Sequence, residues 1–490
     1  MQNHSSMTTS ATIRPSKALP MAVAIALAGL LSITGCTKKA DEESVAADNA
    51  QVVETADSET VAANANDAHI DRLAISYANM AQAAYEDSLA EAKKLQAAID
   101  TFVATPTEEN LAAAKAAYKA ARQPYSQTEV FRFDEGFVTS DDKRKIGSID
   151  GWEGQLNAWP LDEALIDYVS DSYEGEYNAK ENIINSDSIK VGSVSQDTKQ
   201  ITPELLAEMN EIGGSEANVT TGYHAIEFLL WGQDLNGTGP GAGERPVSDY
   251  LTEDGKCTSG DMINEGVTIC ESRGTYLKAA AALLVNDLTD MVAEWQPDST
   301  NTLRSDFMSR KNSNALRQIM YQMGSLSLGE LASERMQVAF VTGSTEDEHE
   351  CFSDLTHLSY ANNARGIDNV FNGSYKTVAG ESIGGYGIKQ YLMDSGHKAE
   401  ADKLAADFNK VADSFNTIVT KGEKDGIKVD QMIATVGQAS KHGISAEEQT
   451  QRRSWMEAAI NDLKQVTVGI ENAAKAVGID NLDADAGSMF

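Results

Sequence analysis

Long alanine-rich segments with apolar residues at helical spacing occupy most of the chain beyond Asp67. Leu73, Tyr77, Met80 and Ala84 mark one such stripe, because residues three and four positions apart lie on the same helical face. Only nine prolines occur among the 490 residues, and strand-like alternation of apolar and polar residues is scarce. The pattern therefore predicts an all-α fold built from helical bundles.

A polar segment that contains two cysteines separates two helical halves of similar size. We expect an N-terminal bundle over residues 68–245, a connecting disulfide loop over 246–270, a C-terminal bundle over 271–480 and a tail over 481–490. The similar sizes of the halves favour two related bundle domains.

The cysteines of the connecting segment predict a disulfide. Cys257 and Cys270 bracket a polar, glycine-containing loop, and an oxidising compartment would let them pair. A zinc site is the alternative interpretation, but the pair lacks CxxC spacing and a neighbouring histidine. Cys351 is left over, and we expect it to be buried as a small apolar side chain.

The N-terminus has the pattern of an export signal. Two basic residues precede a short apolar run over residues 18–31, and small residues then lead to Cys36. This order is typical of a bacterial lipoprotein signal peptide over residues 1–35, cleaved before a lipidated Cys36. An ordinary signal peptide with a chance cysteine is the alternative. Residues 36–67 carry almost no large apolar side chains and predict a flexible acidic stalk, a disordered linker.

These N-terminal features predict a protein of the bacterial cell envelope that is lipid-anchored to the outer membrane, on its periplasmic or surface side. The formal net charge is −34, from 74 acidic and 40 basic side chains. Nucleic-acid binding needs clustered basic residues, so this charge argues against nucleic acid as a partner. The charge suits cations and positively charged partners, and it is also compatible with a merely solvated acidic surface.

One segment combines residue types that bind metals. His224 and Glu227 are three residues apart, so on a helix both side chains lie on one face and can reach the same ion. A metal usually takes three or four protein ligands, so other residues must complete the site. Glu129 and Asp150, which lie among aromatic and apolar residues, are the candidates.

Further charged residues in apolar surroundings are candidates for a second site or for lining the first. Glu153 repeats the three-residue spacing after Asp150, and Arg132 would compensate buried carboxylates. Glu330 lies near Arg335, which favours an internal ion pair, with a role in lining the site as the second interpretation. Helix-end caps and ion pairs are the alternative for Asp150 and Glu153.

A polar run places Glu350, Asp354 and His357 at positions i, i+4 and i+7, on one face if the run is helical. Such a set would suit iron or zinc, whereas the alternative is the solvated acidic start of a helix.

The HExxH motif of zincin proteases is absent. The other histidines beyond the signal region lie in polar contexts and are expected at the surface: His69, His349, His397 and His442.

Together these motifs resemble the imelysin family, also classed as M75 peptidases. The resemblance rests on GYHAIE (222–227), DGWE (150–153), WPLD (159–162), GAGERP (241–246) and ECFSDLTH (350–357). The combination is similar to the iron-regulated protein A branch, bacterial envelope lipoproteins linked to iron acquisition, over roughly residues 67–480.

The resemblance implies an all-α fold of two related bundle domains with a site between them. It implies metal binding by His224 and Glu227, a corresponding carboxylate at Glu129, and a site role for Asp354 and His357. The implied function is that of an envelope-tethered metal-binding protein in iron acquisition. Iron is the favoured metal, and zinc and copper are alternatives.

Two other functions remain open: an imelysin-type metallopeptidase and a non-catalytic surface interaction protein. The implied partners are a metal ion or metal complex, the membrane through the lipid anchor, and an envelope iron transporter.

Overall fold

The computed structural model describes residues 55–132, 149–173, 175, 177, 180–253, 255–258, 262–264, 267–310 and 312–482. The chain divides into two compact units, Met1–Ala56 and Asp57–Phe490. The described residues of the first unit are two residues at the start of a helix. The predicted signal peptide, the predicted lipidation site at Cys36 and nearly all of the predicted stalk lie outside the described residues.

The described residues are mainly helical, which confirms the all-α prediction. The α-helices are α1 (Thr55–Ala104), α2 (Glu108–Thr128), α3 (Ile149–Leu156), α4 (Glu163–Ile166), α5 (Pro203–Met209), α6 (Gly222–Trp231), α7 (Ile269–Glu294), α8 (Leu303–Ser309), α9 (Asn312–Ser325), α10 (Ala339–Thr342), α11 (Thr356–Asn372), α12 (Ile388–Asp394), α13 (Lys398–Lys424), α14 (Val429–Ile433), α15 (Val436–Lys441) and α16 (Ala446–Ala476). Short 3₁₀ segments are Glu129–Phe131, Ile212–Gly214 and Val247–Tyr250, and Leu326–Val338 is a π-helical segment.

The strands of the described residues form short antiparallel pairs. They are β1 (Ser188–Val191), β2 (Val194–Asp197), β3 (Met262–Asn264), β4 (Val267–Thr268), β5 (Ser374–Lys376) and β6 (Ser382–Gly384). β1 pairs with β2, β3 with β4, and β5 with β6, so each pair joins neighbours in the chain. None of the described helices is both long enough and apolar enough to span a membrane.

Helix starts follow the capping signals of the sequence. The Thr202 side chain accepts a hydrogen bond from the backbone of Leu205, and Pro203 occupies the first turn of α5. Proline suits this position because the first backbone N–H groups of a helix have no partner within the helix. Ser445 caps α16 in the same way, by accepting from the backbone of Glu448.

The C-terminal helices share an apolar core. α13 packs against α16 and α11, and α11 packs against α2. Leu404, Phe408, Val411 and Phe415 recur at helical spacing on the buried face of α13. The backbones of α11 and α2 approach so closely that a Cβ on Gly366 would lie 2.8 Å from the carbonyl oxygen of a residue in α2. The division of this core into two related bundle domains stays a prediction.

The predicted disulfide between Cys257 and Cys270 is present, at the start of α7. Nearby, a buried ion-pair network links three segments. Arg273 on α7 donates two hydrogen bonds to Asp167, at 2.7 and 2.9 Å, and Arg245 donates a third at 2.7 Å. Burial alone would raise the pKa of Asp167, but Arg273 and Arg245 offset it and lower the pKa to about 2.

Replacing Asp167 with asparagine is expected to destabilise the protein by about 3–5 kcal/mol, because it leaves two buried guanidinium groups without their shared carboxylate. Chemical denaturation of the full chain measures this loss. Asp171→Asn, at an exposed position, is the control and is expected to leave the free energy of unfolding unchanged. An Asp167→Asn variant as stable as the wild type would contradict the assignment.

The same carboxyl gives a pH dependence with a defined sign. Its folded pKa of about 2 lies below the usual value of 3.8, so its stabilisation is present above about pH 4. Stabilisation is lost as the pH falls through about 2. The stability difference between wild type and Asp167→Asn should therefore shrink over this acidic range, and a constant difference would contradict the prediction.

Candidate metal-binding site

Helix α6 carries the Gly222-x-His224-x-x-Glu227 motif and is buried along its whole length. Gly222 has a φ of +75°, and a Cβ there would lie 2.3 Å from the carbonyl oxygen of Leu156. Glycine is required because it tolerates both the left-handed backbone and the close approach. The apolar residues after Glu227 pack in the core, so α6 holds both polar side chains of the motif inside the protein.

His224 and Glu227 contact each other directly. Nδ1 of His224 lies 2.9 Å from Oε2 of Glu227, and both side chains are almost fully buried. Oε1 of Glu227 accepts hydrogen bonds from the backbone N–H of Ser353 at 3.0 Å and from its hydroxyl at 2.6 Å. The hydroxyl of Tyr118 donates to Oε2 at 3.2 Å.

The hydrogen-bond donors around Glu227 indicate which nitrogen of His224 carries the proton. Because they favour Glu227 as an acceptor, we assign the imidazole proton of His224 to Nδ1. Nε2 then carries a lone pair, and among the described residues it has no hydrogen-bond partner. A carboxylate that holds one imidazole nitrogen while the other faces a ligand is the usual arrangement behind metal-binding histidines.

A second buried imidazole, that of His349, lies beside His224. The ring centroids are 4.8 Å apart and the planes meet at 67°. Nδ1 of His349 has no hydrogen-bond partner among the described residues. Nε2 lies 3.4 Å from the side-chain nitrogen of Asn157, which is long for a hydrogen bond. The side chain is 1 % exposed, so the prediction that His349 lies at the surface is wrong.

The local sequence does not indicate that His349 is buried. Its acidic neighbours predict exposure, but Glu348 is itself buried and Glu350 pairs with Arg122 inside the protein. Residues 343–355 form turns and loop before α11, so no periodic pattern marks their buried side chains. The compensating arginine is distant in sequence, on α2.

Both imidazoles are neutral at ordinary pH. Burial lowers the pKa of His224 to about 3, and the neighbouring charge of Arg122 lowers it further in the same direction. Burial also holds the pKa of His349 well below its usual value, with Arg335 and His224 adding to the effect. Burial raises the pKa of Glu227 to about 7, against the opposing hydrogen bonds from Ser353. Neutral imidazole is the form that binds metal ions.

The two imidazoles face a narrow cavity of about 20 Å³. Glu163, Glu346 and Cys351 line the same cavity. Cys351 is a free cysteine that is half-buried against the core, which agrees only in part with its prediction as a buried apolar side chain. A larger cleft of about 530 Å³ shares part of this wall. The residues common to both are Pro160, Leu161, Glu163, Glu346, Cys351 and Phe352.

A buried arginine, Arg122, links Glu350 and Asn157, which lie close in sequence to residues of the cavity wall. Its guanidinium group pairs with Glu350 and donates to the side-chain oxygen of Asn157 at 2.6 Å. The amide nitrogen of Asn157 donates to Glu153 at 2.7 Å, and Glu153 also accepts from the Tyr125 hydroxyl at 2.6 Å. Burial and the charge of Glu129 raise the pKa of Glu153.

A second buried arginine, Arg335, contacts three of the glutamates that the sequence predicts as site residues. Its Nη2 lies 2.6 Å from carboxylate oxygens of both Glu129 and Glu330, and 3.7 Å from Glu153. Arg132 adds a contact to Glu330 at 2.8 Å. Burial would raise the pKa of Glu330, but Arg132 and Arg335 lower it to about 2. The predicted internal ion pair between Glu330 and Arg335 is therefore present.

The π-helical segment explains how Glu330 and Arg335 meet. Their separation is five residues, and the turn of a π-helix brings residues i and i+5 into register. Nε of Arg335 donates to Glu330 at 2.9 Å. An α-helix would place residues three and four apart on one face instead, so the sequence pattern alone does not select this pairing.

The predicted helical face of Glu350, Asp354 and His357 is wrong. Helix α11 begins at Thr356, so Glu350 and Asp354 lie in the preceding loop. Asp354 has a φ of +56°, a left-handed conformation that is unusual for a residue with a side chain. Burial first, and then repulsion from Asp234, raises its pKa to about 7.

His357 is enclosed in a separate contact. Its Nε2 lies 2.8 Å from Oε1 of Glu423, and a Cβ on Gly422 would lie 2.5 Å from the imidazole ring. Burial lowers the pKa of His357 to about 4. The structure therefore does not bring His357 into contact with Glu350, and a site role for Asp354 and His357 stays a prediction.

The predicted ligand set of His224, Glu227, Glu129 and Asp150 also stays a prediction. His224 and Glu227 are in contact, whereas Glu129 is engaged by Arg335 and by the side-chain nitrogen of Asn363 at 2.9 Å. The backbone of Asp150 lies in α3, but its side chain is outside the described residues. No cluster of three or more histidine, cysteine, aspartate and glutamate side chains suited to a metal occurs within the described part of the chain.

Comparisons with known proteins identify the family and show structures with a similar fold. Among solved structures, an iron-regulated protein A precursor from Parabacteroides distasonis aligns with a TM-score of 0.53 at 16% identity, over 84% of this chain and 95% of that chain. An imelysin-like protein from Psychrobacter arcticus aligns with a TM-score of 0.48 at 12% identity, over 84% of this chain and 94% of that chain. None of the curated proteins compared with the chain matches it. The sequence model of imelysin, peptidase M75, matches residues 81–468, well over half of the chain, and the chain therefore belongs to the imelysin family.

Proposed function

We propose that this chain is an envelope-tethered metal-binding protein that takes part in iron acquisition, and that His224 and His349 bind the metal. The observation that carries the proposal is the pair of buried, neutral imidazoles, each with a nitrogen that lacks a hydrogen-bond partner among the described residues. Both rings line one cavity. Imidazole suits iron, zinc and copper, and iron is favoured by the name of the Parabacteroides distasonis protein.

The surroundings of the imidazoles support a cation as the ligand. The whole chain has a formal net charge of −34, and such a charge attracts cations and raises their local concentration. Glu163 and Glu346 line the same cavity as the imidazoles, but burial raises the pKa of both, that of Glu163 to about 8, so they add oxygen atoms to the cavity more than charge. The tether to the outer membrane rests on the sequence before residue 37, and capture at the envelope with transfer to an iron transporter is the role that these features suit.

Hydrolysis is the weaker alternative because of how Glu227 is held. A metallopeptidase would need a carboxylate that is free to activate a metal-bound water. Oε1 of Glu227 accepts two hydrogen bonds from Ser353, and Oε2 contacts His224 and Tyr118. Glu227 is therefore placed to orient His224. Metal-dependent cleavage of an unfolded protein that is abolished in Glu227→Gln would overturn this assignment.

Removing either imidazole is expected to weaken binding of Fe²⁺ or Zn²⁺ by at least about tenfold, because each variant loses one ligand. Calorimetric titration of the purified full chain, without oxygen for Fe²⁺, compares His224→Ala and His349→Ala with the wild type. Two matched controls are His69→Ala, a half-buried histidine with its own carboxylate partner, and His442→Ala, an exposed one. Wild-type affinity in His349→Ala, or equal losses in the controls, would contradict the site.

Replacing Glu227 with glutamine separates an orienting role from direct ligation. An orienting carboxylate is expected to cost about 10–100-fold in metal affinity while leaving the ligand atoms unchanged. The affinity loss is read by titration, and the visible spectrum of bound Co²⁺ should keep its bands. Glu423→Gln, in the separate His357 pair, is the control. A changed Co²⁺ spectrum would indicate that Glu227 is itself a ligand, contrary to the proposal.

A further inference from the structure

The cleft beside the two imidazoles is far larger than a metal ion requires. Its volume is about 530 Å³, within the usual range of sites for small organic molecules. The narrow cavity that holds His224 and His349 shares six wall residues with it. A molecule in the cleft would therefore contact residues that also line the imidazole cavity.

The walls of the cleft combine apolar and hydrogen-bonding surface. Leu161 and Phe352 supply apolar surface next to the imidazole cavity, and Leu235, which is 72% exposed, lies on the outer side. Ser172 and Gln233 supply polar groups. This mixture is typical of sites that bind an organic ligand, and a bare hydrated ion would make no use of the apolar part.

The described lining residues of the cleft include carboxyl side chains and no lysine or arginine. The carboxyl groups are those of Asp162, Glu163, Asp234 and Glu346. Burial raises the pKa of Glu163 to about 8 and that of Asp234 to about 6, so at neutral pH Glu163 is mostly protonated and Asp234 is mostly charged. A ligand that carries several carboxylates would be repelled by these groups at short range. A neutral or positively charged ligand would meet no such repulsion.

We infer that the cargo of this site is a small metal chelate of neutral or positive charge. Its metal is bound by His224 and His349, and its organic chelator occupies the adjoining cleft. This inference rests on the proposed metal binding by the two histidines, and it goes further by naming the chemical class of the cargo. Binding is ligand exchange: the imidazole nitrogens replace water molecules at coordination positions that the chelator leaves free, the water molecules are released to solvent, and the oxidation state of the metal does not change.

Nickel chelates of graded charge test the inference, because Ni²⁺ binds imidazole and is not readily reduced. The full chain is titrated with Ni²⁺ alone, with doubly positive Ni²⁺–diethylenetriamine, with neutral Ni²⁺–iminodiacetate and with negative Ni²⁺–nitrilotriacetate. We expect the positive and neutral chelates to bind at least about tenfold more tightly than the negative one. Mass spectrometry of the protein fraction after gel filtration should detect the retained chelator.

A variant that fills the cleft distinguishes binding of a metal chelate from binding of the metal ion alone. Ser172→Trp places a large side chain at an exposed wall position outside the narrow cavity and should weaken chelate binding without changing the affinity for Ni²⁺ alone. Ser195→Trp, exposed on β2, is the matched control and should change neither.

Two results would overturn the inference while leaving the metal site intact. One is binding of Ni²⁺ alone with the chelators stripped or excluded, and the other is equal binding of all three chelates. If neither Ni²⁺ nor any chelate responds to His224→Ala and His349→Ala, the proposed function fails as well.

Discussion

The arrangement of the site depends on carboxylates that compensate the positive charges of two buried arginines. A guanidinium group inside a protein costs several kcal/mol unless carboxylates surround it, so the chain must bring such groups to Arg122 and Arg335. Arg122 on α2 takes Glu350 from the loop before α11, and Arg335 takes Glu129 from the segment after α2. These contacts join parts of the chain more than 200 residues apart. Because Glu350 is fixed, its neighbour His349 is held beside α6 as well.

Local features of the fold are readable from the sequence because they depend on near neighbours. The apolar stripes gave the helices, Thr202 and Pro203 marked the start of α5, and the spacing of His224 and Glu227 brought their side chains together on α6. The contact is direct, however, with the carboxylate on one imidazole nitrogen. Spacing shows that two side chains can meet, but it does not show whether an ion lies between them.

The rest of the site is not readable because it depends on contacts distant in sequence. His349 and Ser353 lie in a loop without periodicity, and their burial follows from the pairing of Glu350 with Arg122 on another helix. The sequence predicts the ion pair of Glu330 with Arg335, but not the π-helical turn that brings the two side chains together, because residue types do not indicate it. One signal was present: an arginine among apolar and aromatic residues, as in Arg122, requires a buried carboxylate somewhere.

Buried histidines with carboxylate partners occur at two places in the described part of the chain, and their surroundings differ. His357 has such a partner in Glu423, the backbone at Gly422 lies against its ring, and no other imidazole of the described residues is in ring contact with it. At His224 the carboxylate occupies one nitrogen, a second neutral imidazole lies 4.8 Å away between ring centroids, and a cavity meets both rings. In the proposed metal site, the motif would thus provide one oriented ligand, and the loop before α11 would provide the other.

The charge around the imidazoles decides which kind of ligand can enter. Three buried arginines lie nearby, which taken alone would oppose a cation: Arg122, Arg132 and Arg335. Four carboxyl side chains contact them: Glu129, Glu153, Glu330 and Glu350. Burial raises the pKa of Glu153, so the ion pairs with Glu129, Glu330 and Glu350 provide most of the compensation. The adjoining cleft adds carboxyl groups, and its described lining residues include no lysine or arginine. An anion would therefore be opposed by the carboxyl groups of the cleft. At the imidazoles, Arg122 and Arg335 oppose added positive charge, as they do in lowering the pKa values of His224 and His349, and the carboxylates paired with them offset part of this opposition.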